Sequence, residues 1–402
     1  MTERLYWENP YLSYIDAYVT EKYLKDGKCY LKLNRTIFYP DQSGGQPRDV
    51  GYINNIEVQD VYEDGLDIVH VLNENIDTLD VKLSIDMERR FDHMQQHTAQ
   101  HVLSKAFLNI FNWQTESFHL GSKYSTIDIS TKEITEKEIE KAELLANKIV
   151  QSNFKVSSYI VTPDKLEKIP IRKKINIDEN IRIVEIDGLD YSICAGTHVS
   201  STGEIGIIKI VGFEKVRSTI RLKFIAGQRA LNNYLSIYSL IENIRKNLSA
   251  NENDVLKKVL EIQENNKILE KQLKELKKSI IKLKAEEILS NLKTIARLNF
   301  VIKSLDADDY NYLDDIKHYV TSCEQNIFQI YTFESNNCIQ FNISSPKDLD
   351  LDLKTIFYEL SKKYEIKGGG NTHNIQGNIR KDHKESFIND VISNIIKSLN
   401  AK

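Results

Sequence analysis

Between Gln228 and Pro346 the chain contains neither glycine nor proline. A stretch so free of helix breakers can run as one helix over many turns. Its first half carries the matching pattern. Leu231, Tyr234, Tyr238, Ile241, Leu248, Val255, Val259, Ile262, Leu269, Leu273, Leu276, Ile280 and Leu283 fall mostly on alternating spacings of three and four, interrupted by Arg245, Glu252 and Asn266. The spacing predicts one long helix to about Leu292. An a/d seam of that length calls for a partner, and a single Asn at an a-type position favours a parallel two-stranded register. The expectation is a coiled coil that joins two copies of the chain. The alternative is a helix folded back on its own chain. Lys267, Lys271, Lys274, Lys277, Lys278, Lys282 and Lys284 cluster on it, a solvated face that is also able to touch phosphates.

Around this rod, 402 residues leave room for two or three domains that bury their own cores. The expected segments are a β-rich glycine-loop subdomain over 1–86, a metal-binding domain over 87–227, the long helix over 228–298, and a C-terminal α/β domain over 299–402. A formal net charge of −4 gives no global attraction to nucleic acid, so any RNA contact must come from local patches. Cys29, Cys194, Cys323 and Cys338 are scattered, without a paired framework or a preceding secretory signal. No run approaches the roughly twenty apolar residues of a membrane span. The reading is a cytoplasmic protein with no membrane partner.

The first 85 or so residues hold short apolar-rich segments such as Lys28-Cys29-Tyr30-Leu31-Lys32-Leu33, broken by Asn, Asp and Gly, which suggests a small β-barrel-like unit. Within it, Phe38-Tyr39-Pro40-Asp41-Gln42-Ser43-Gly44-Gly45-Gln46-Pro47 forms a glycine-rich loop whose backbone can approach a ligand closely.

From Met87 to about Asn112 the chain turns helical. Phe91, Met94, Val102, Leu103 and Phe107 supply an apolar stripe, and His93, His97 and His101 recur every four residues beside it. Residues four apart share a helix face, so His97 and His101 can aim at one point. Ninety-odd residues later Cys194-Ala195-Gly196-Thr197-His198 repeats the separation with a thiol and an imidazole. Three imidazoles and a thiolate suit a tetrahedral zinc ion, so His97, His101, Cys194 and His198 are expected to share one zinc per chain. His93, a turn too early, is left as a supporting or substrate contact. Between the two half-sites, Thr115-Glu116-Ser117-Phe118-His119-Leu120-Gly121 and Ser125 to Ile129 read as strands around a turn that present hydroxyls to a pocket. A helix over about Glu133 to Gln151 and a strand over Ile181 to Ile186 follow.

The last segment reads as strands over Ile327 to Thr332 and Cys338 to Ile343 and a helix over Leu351 to Lys363. Then comes Lys367-Gly368-Gly369-Gly370-Asn371-Thr372-His373-Asn374-Ile375-Gln376-Gly377. Three consecutive glycines suit either a flexible loop or a place where a backbone must come close. The whole is α+β.

With these residues in view, the chain resembles the stand-alone alanyl-tRNA editing proteins, the AlaX group in its long form, which are similar to the editing and C-terminal domains of alanyl-tRNA synthetase. The likeness rests on Phe38 to Pro47, Arg90 to Leu103, Ser117 to Gly121, Cys194 to Val199, Thr202 to Gly206 and the triple-glycine segment ending at Gln376 and Gly377. It implies a hydrolase that removes serine or glycine from mischarged alanine tRNA. It implies zinc on His97, His101, Cys194 and His198, and a substrate end lined by Gly44, Gly45 and Gln46 with Thr115, Ser117 and His119. A second grip on tRNA is implied at Gly368, Gly369, Gly370, Gln376 and Gly377. Because the chain begins almost at the glycine loop, it is expected to lack amino-acid activation and to use no ATP. Two alternatives stand beside this reading: editing of mischarged threonine tRNA, and a non-enzymatic dimeric RNA-binding adaptor in which zinc is structural.

Overall fold

The computed structural model describes residues 1–41, 45–166, 168–171, 181–335 and 338–400. Gly44, one of the expected substrate residues, lies outside them. The described residues divide into two compact units, Met1–Lys246 and Asn247–Lys402.

After a short strand at Glu3–Arg4 and a helical turn at Leu5–Glu8, the first unit builds a sheet from strands β1 (Tyr14–Lys25), β2 (Lys28–Leu33), β3 (Gly51–Ile53), β4 (Ile56–Asp64), β5 (Asp67–Leu72) and β6 (Asp80–Ile85). Their pairings run in the cyclic order β1-β2-β5-β4-β3-β6 and return to β1. The long β1 makes this possible. Its first half, Tyr14–Tyr18, pairs with β6 and its second half, Val19–Lys25, with β2. Alternation in the sequence decides what is inside, so Cys29, Leu31 and Leu33 of β2 are buried with Val19, Val58, Val61, Ile68 and Leu83.

Helix α1 (Met87–Phe111) follows at once, with Asp86 as its cap accepting the Arg89 N–H and Asn112 closing it in the left-handed region at φ +58°. It is buried on nearly every side, and its polar residues are buried as well as its apolar ones. Gln96 shows how this is tolerated. Its amide donates to the Ala226 carbonyl at 2.9 Å and accepts from the Ala226 N–H at 2.9 Å. Beyond α1 come β7 (Thr115–Leu120), β8 (Ser125–Ile129), α2 (Glu136–Gln151), β9 (Val156–Val161), β10 (Ile181–Ile186), β11 (Asp190–Ile193), β12 (Ile208–Val216), β13 (Thr219–Ala226) and α3 (Gly227–Leu248). One sheet has the order β12-β13-β8-β7 and another β9-β10-β11. Met94, Val102, Leu103 and Phe107 of α1 pack with Ile127, Ile129, Leu222 and Phe224 in one core.

The expected single helix to about Leu292 is interrupted. Helix α3 stops at Leu248, Ser249 takes φ +48°, and α4 (Val255–Ser290) starts after a short 3-10 turn over Glu252–Asp254. The intervening Ser249-Ala250-Asn251-Glu252-Asn253-Asp254 explains it, because Ser, Asn and Asp side chains compete for backbone groups and favour caps and turns over helix interiors.

In the second unit, β14 (Lys293–Ile295), β15 (Leu298–Leu305), α5 (Leu313–Cys323), β16 (Ile327–Ser335), β17 (Cys338–Ser344), α6 (Leu353–Lys363), β18 (Lys367–Gly370), β19 (Asn374–Arg380) and α7 (Lys384–Asn400) build a sheet of order β14-β15-β16-β17-β19-β18. The glycine run is a strand rather than a loop. A side chain on Gly368 or Gly370 would stand 2.2 or 2.1 Å from the Gln376 or Asn374 carbonyl oxygen, so close strand approach explains those two glycines. Among the described residues no helix is long and apolar enough to cross a membrane.

Candidate metal centre

The middle of α1 carries His97 and His101 on one face, and the loop after β11 carries Cys194 and His198. The fold brings all four together, one ligand atom from each lying within 4.8 Å of the others. Cys194 Sγ is 3.2 Å from His97 Nε2 and 3.3 Å from His198 Nε2.

The surroundings decide which ring nitrogen points inward. Gln46 Oε1 accepts the Thr197 N–H at 3.0 Å, which identifies it as the carbonyl oxygen, and it lies 3.2 Å from His97 Nδ1. That nitrogen therefore carries the proton and leaves Nε2 with a free lone pair. Thr98 works the same way on His198. Its hydroxyl donates to the Met94 carbonyl at 2.8 Å and accepts the Val199 N–H at 3.2 Å, so it meets His198 Nδ1, at 3.2 Å, as an acceptor. His101 Nδ1 faces the buried Asp190 carboxylate at 3.6 Å. Such outer partners orient metal-binding imidazoles and make them better donors.

Protonation follows from burial and neighbours. Burial holds His198 down to about 3, against the opposing pull of the Cys194 sulfur. Burial by itself pushes the Cys194 thiol up, but the electrostatic influence of the close His97 and His198 rings and hydrogen bonds from His101 and His198 outweigh it and hold the thiol well below its usual range. Neutral imidazoles and a thiolate are the forms that bind a metal, and this donor set fits zinc.

The cysteine loop is clamped from behind. Arg182 of β10 donates to the Cys194 and Gly196 carbonyls, both at 2.8 Å, and the Trp7 indole N–H donates to the Ala195 carbonyl at 2.8 Å. Gly196 is required there, because a Cβ would fall 2.1 Å from His97 Cε1.

A cleft of about 330 Å³ opens beside the four residues. Thr115 and Ser117 line it, together with Gln100, Ser104 and Ser192, which the sequence did not single out. Thr115 Oγ1 is 2.6 Å from Ser104 Oγ, to which Gln100 also donates at 2.8 Å. The other expected substrate residues stand elsewhere. Gly45 gives its carbonyl to the Leu120 N–H at 3.2 Å, and Gln46 is spent behind His97; neither is among the described residues that line the cleft. His119 opens instead on a neighbouring cavity of about 540 Å³. His93 borders a third cavity, its Nδ1 buried without a hydrogen bond among the described residues.

One further partnership ties the barrel to α1. Arg90 and Asp49 are both fully buried, with Arg90 Nε donating to Asp49 Oδ1 at 3.0 Å and its Nη2 to Oδ2. Arg90 also donates to the Pro10 carbonyl at 2.9 Å and the Ile37 carbonyl at 2.6 Å.

The family described as "Threonyl and Alanyl tRNA synthetase second additional domain" matches residues 181–222, the span of β10, β11 and the cysteine loop into β13. The alanyl-tRNA editing protein AlaX-L of Pyrococcus horikoshii is 29% identical over 96% of this chain and 97% of its own length. Alanyl-tRNA editing protein Aarsd1-A of Xenopus laevis is 30% identical over 64% of each chain. An alanine–tRNA ligase of Korarchaeum cryptofilum is 28% identical over 96% of this chain, which spans 44% of the ligase. Among solved structures, the C-Ala domain from Aquifex aeolicus alanyl-tRNA synthetase matches 25% of this chain at 14% identity with a TM-score of 0.22, a likeness too slight to carry fold or function. Along nearly its whole length, then, the chain is similar to the stand-alone alanyl-tRNA editing proteins of the long AlaX form, the resemblance its sequence motifs imply.

Proposed function

We propose that this protein is a trans-editing hydrolase that deacylates mischarged alanine tRNA, releasing serine or glycine. One observation carries the reading: His97, His101, Cys194 and His198 converge beside a cleft lined by several hydroxyls in a chain similar to alanyl-tRNA editing proteins. One zinc ion per chain fits the donor set, and when bound it supplies orientation of the aminoacyl ester and polarisation of its carbonyl.

The chain's own residues do the rest. An aminoacyl ester is already activated, so the site needs to position it and discriminate its side chain. Gln46, Thr98 and Asp190 fix the imidazoles. Thr115, Ser104 and Gln100 form a run of hydrogen-bonding groups that a serine hydroxyl can join and an alanine methyl cannot, the kind of site that discriminates strongly.

The glycine strand, with Gly368, Gly369, Gly370, Gln376 and Gly377, is proposed as a second contact for tRNA, supported by the sequence resemblance. Pairing of two copies along α4 is supported by Leu269, Leu273, Leu276 and Leu283, each more than half exposed. The place of action is proposed to be the cytoplasm.

Metal analysis joined to a deacylation assay without ATP tests the reading. About one zinc per chain and release of serine or glycine from mischarged alanine tRNA, with alanine left in place, are expected. Release only from mischarged threonine tRNA would favour the threonine alternative, which the description of the matching family also covers. A wild-type protein that binds zinc and tRNA but releases no amino acid would be an adaptor.

A further inference from the structure

Strand β7 serves two cavities, and a bulge is the reason. Asp128 of β8 pairs with Ser117 and Ile129 pairs with Thr115, so Glu116 is left without a partner in the register. Thr115 thereby follows Ile129 toward α1, where its hydroxyl meets Ser104. Ser117 follows Asp128 to the other face, where its hydroxyl donates to Asp128 Oδ2 at 2.7 Å. Ser117 lines both the metal cleft and the adjoining cavity of about 540 Å³.

That second cavity is built on the outward face of β7, β8 and β13. His119, Thr126 and Lys223 are cross-strand neighbours there, as are Ser117, Asp128 and Arg221. Of its cations, Arg221 is held by Asp128 at 2.7 and 2.9 Å and Lys223 by Glu214 at 2.9 Å. Lys123, exposed at the rim, forms no ion pair among the described residues. Beside it Tyr124 is 37% exposed, with Lys223 Nζ 5.5 Å from its ring centre. An exposed aromatic face, a positive charge without a counter-ion and several hydroxyls are what a single-stranded nucleotide needs: stacking for the base and a cation for the phosphate.

We infer that this cavity holds the unpaired nucleotide next to the acylated one at the 3′ end of the RNA. The inference rests on the proposed function: Ser117 borders both spaces, so a strand whose acylated ribose sits in the metal cleft can place its preceding phosphate and base in this cavity. Tyr124 stacks on that base and Lys123 meets a phosphate of the same strand.

The test is the double variant Lys123→Ala with Tyr124→Ala, both at exposed positions, with its melting curve compared to wild type. Three probes are used: seryl alanine tRNA, 3′-O-seryl adenosine, and a single-stranded CCA oligonucleotide. The KM for the tRNA should rise, and the affinity for the oligonucleotide fall, by about tenfold, the scale of one lost stack and one lost phosphate contact. The salt dependence of oligonucleotide binding should flatten, and hydrolysis of seryl adenosine should be unchanged. Wild-type behaviour of the variant on tRNA and oligonucleotide would overturn the inference, and so would equal slowing on both esters. If wild type hydrolyses neither ester, the proposed activity falls and the oligonucleotide binding alone decides this subsite.

Discussion

Gln46 Oε1 accepts the Thr197 N–H at 3.0 Å and lies 3.2 Å from His97 Nδ1, so one buried amide braces the helix half and the loop half of the candidate metal site together. Gln46→Ala should therefore weaken zinc binding by about 10–100-fold, the usual effect of losing an outer partner. Gln46→Glu keeps an acceptor and should lose less. Competition against a chelator of known affinity measures both, and an unchanged constant for the alanine variant would refute the bracing role.

Thr115→Val removes the hydroxyl that meets Ser104 at 2.6 Å while keeping the side chain's shape. Serine release should slow by about tenfold, the worth of roughly one hydrogen bond in a confined site, with glycine release little changed. Ser104→Ala should reproduce the pattern. Equal loss on both esters would show that Thr115 shapes the cleft without reading the serine hydroxyl.

The buried Arg90–Asp49 pair predicts a large stability effect away from the chemistry. Asp49→Ala strands a fully buried guanidinium without its counter-ion and should cost about 3–5 kcal/mol in urea unfolding. Replacing both partners, Asp49→Ala with Arg90→Met, should recover part of the loss, because the uncompensated charge is gone. A double variant no more stable than Asp49→Ala alone would contradict this account.

His70 gives a pH signature. It is fully buried with Nε2 2.8 Å from Thr36 Oγ1, and burial holds it down to about 4 from 6.5. The unfolded chain takes up a proton below pH 6.5 that the folded chain refuses, so stability is whole above 6.5, falls as pH drops, and levels off near 4. The loss over that window is roughly 3 kcal/mol, and His93, also held near 4 by burial, adds a slope of the same sign. Unfolding free energies across pH 4–7 should show a shallower fall in His70→Gln; an equal slope would locate the effect elsewhere.

The four clustered donors were legible because pairs of donor residues four apart announce themselves locally. Their supports were not. Gly196 looks like any turn glycine until His97 arrives against it, and Gln100 and Ser104 look like helix surface until β7 lays Thr115 beside them. Gln46 enters from the sequence only as a substrate contact implied by the family resemblance, and the folded chain adds that its amide accepts from Thr197 and lies beside His97 Nδ1. The break at Ser249 was legible in principle, since the Ser, Asn and Asp cluster was visible, but the heptad count overrode it.

Helix α1 is held by bonds from far downstream: Gln96 to Ala226, Gln95 to the Glu204 carbonyl at 2.8 Å. A nascent chain emerging from the ribosome would thus carry its histidines well before the strand that steadies them exists. Competence should switch on abruptly once residue 226 has cleared the exit tunnel, and a chain stalled short of that point should expose an unsteadied helix to proteases and stray metals alike.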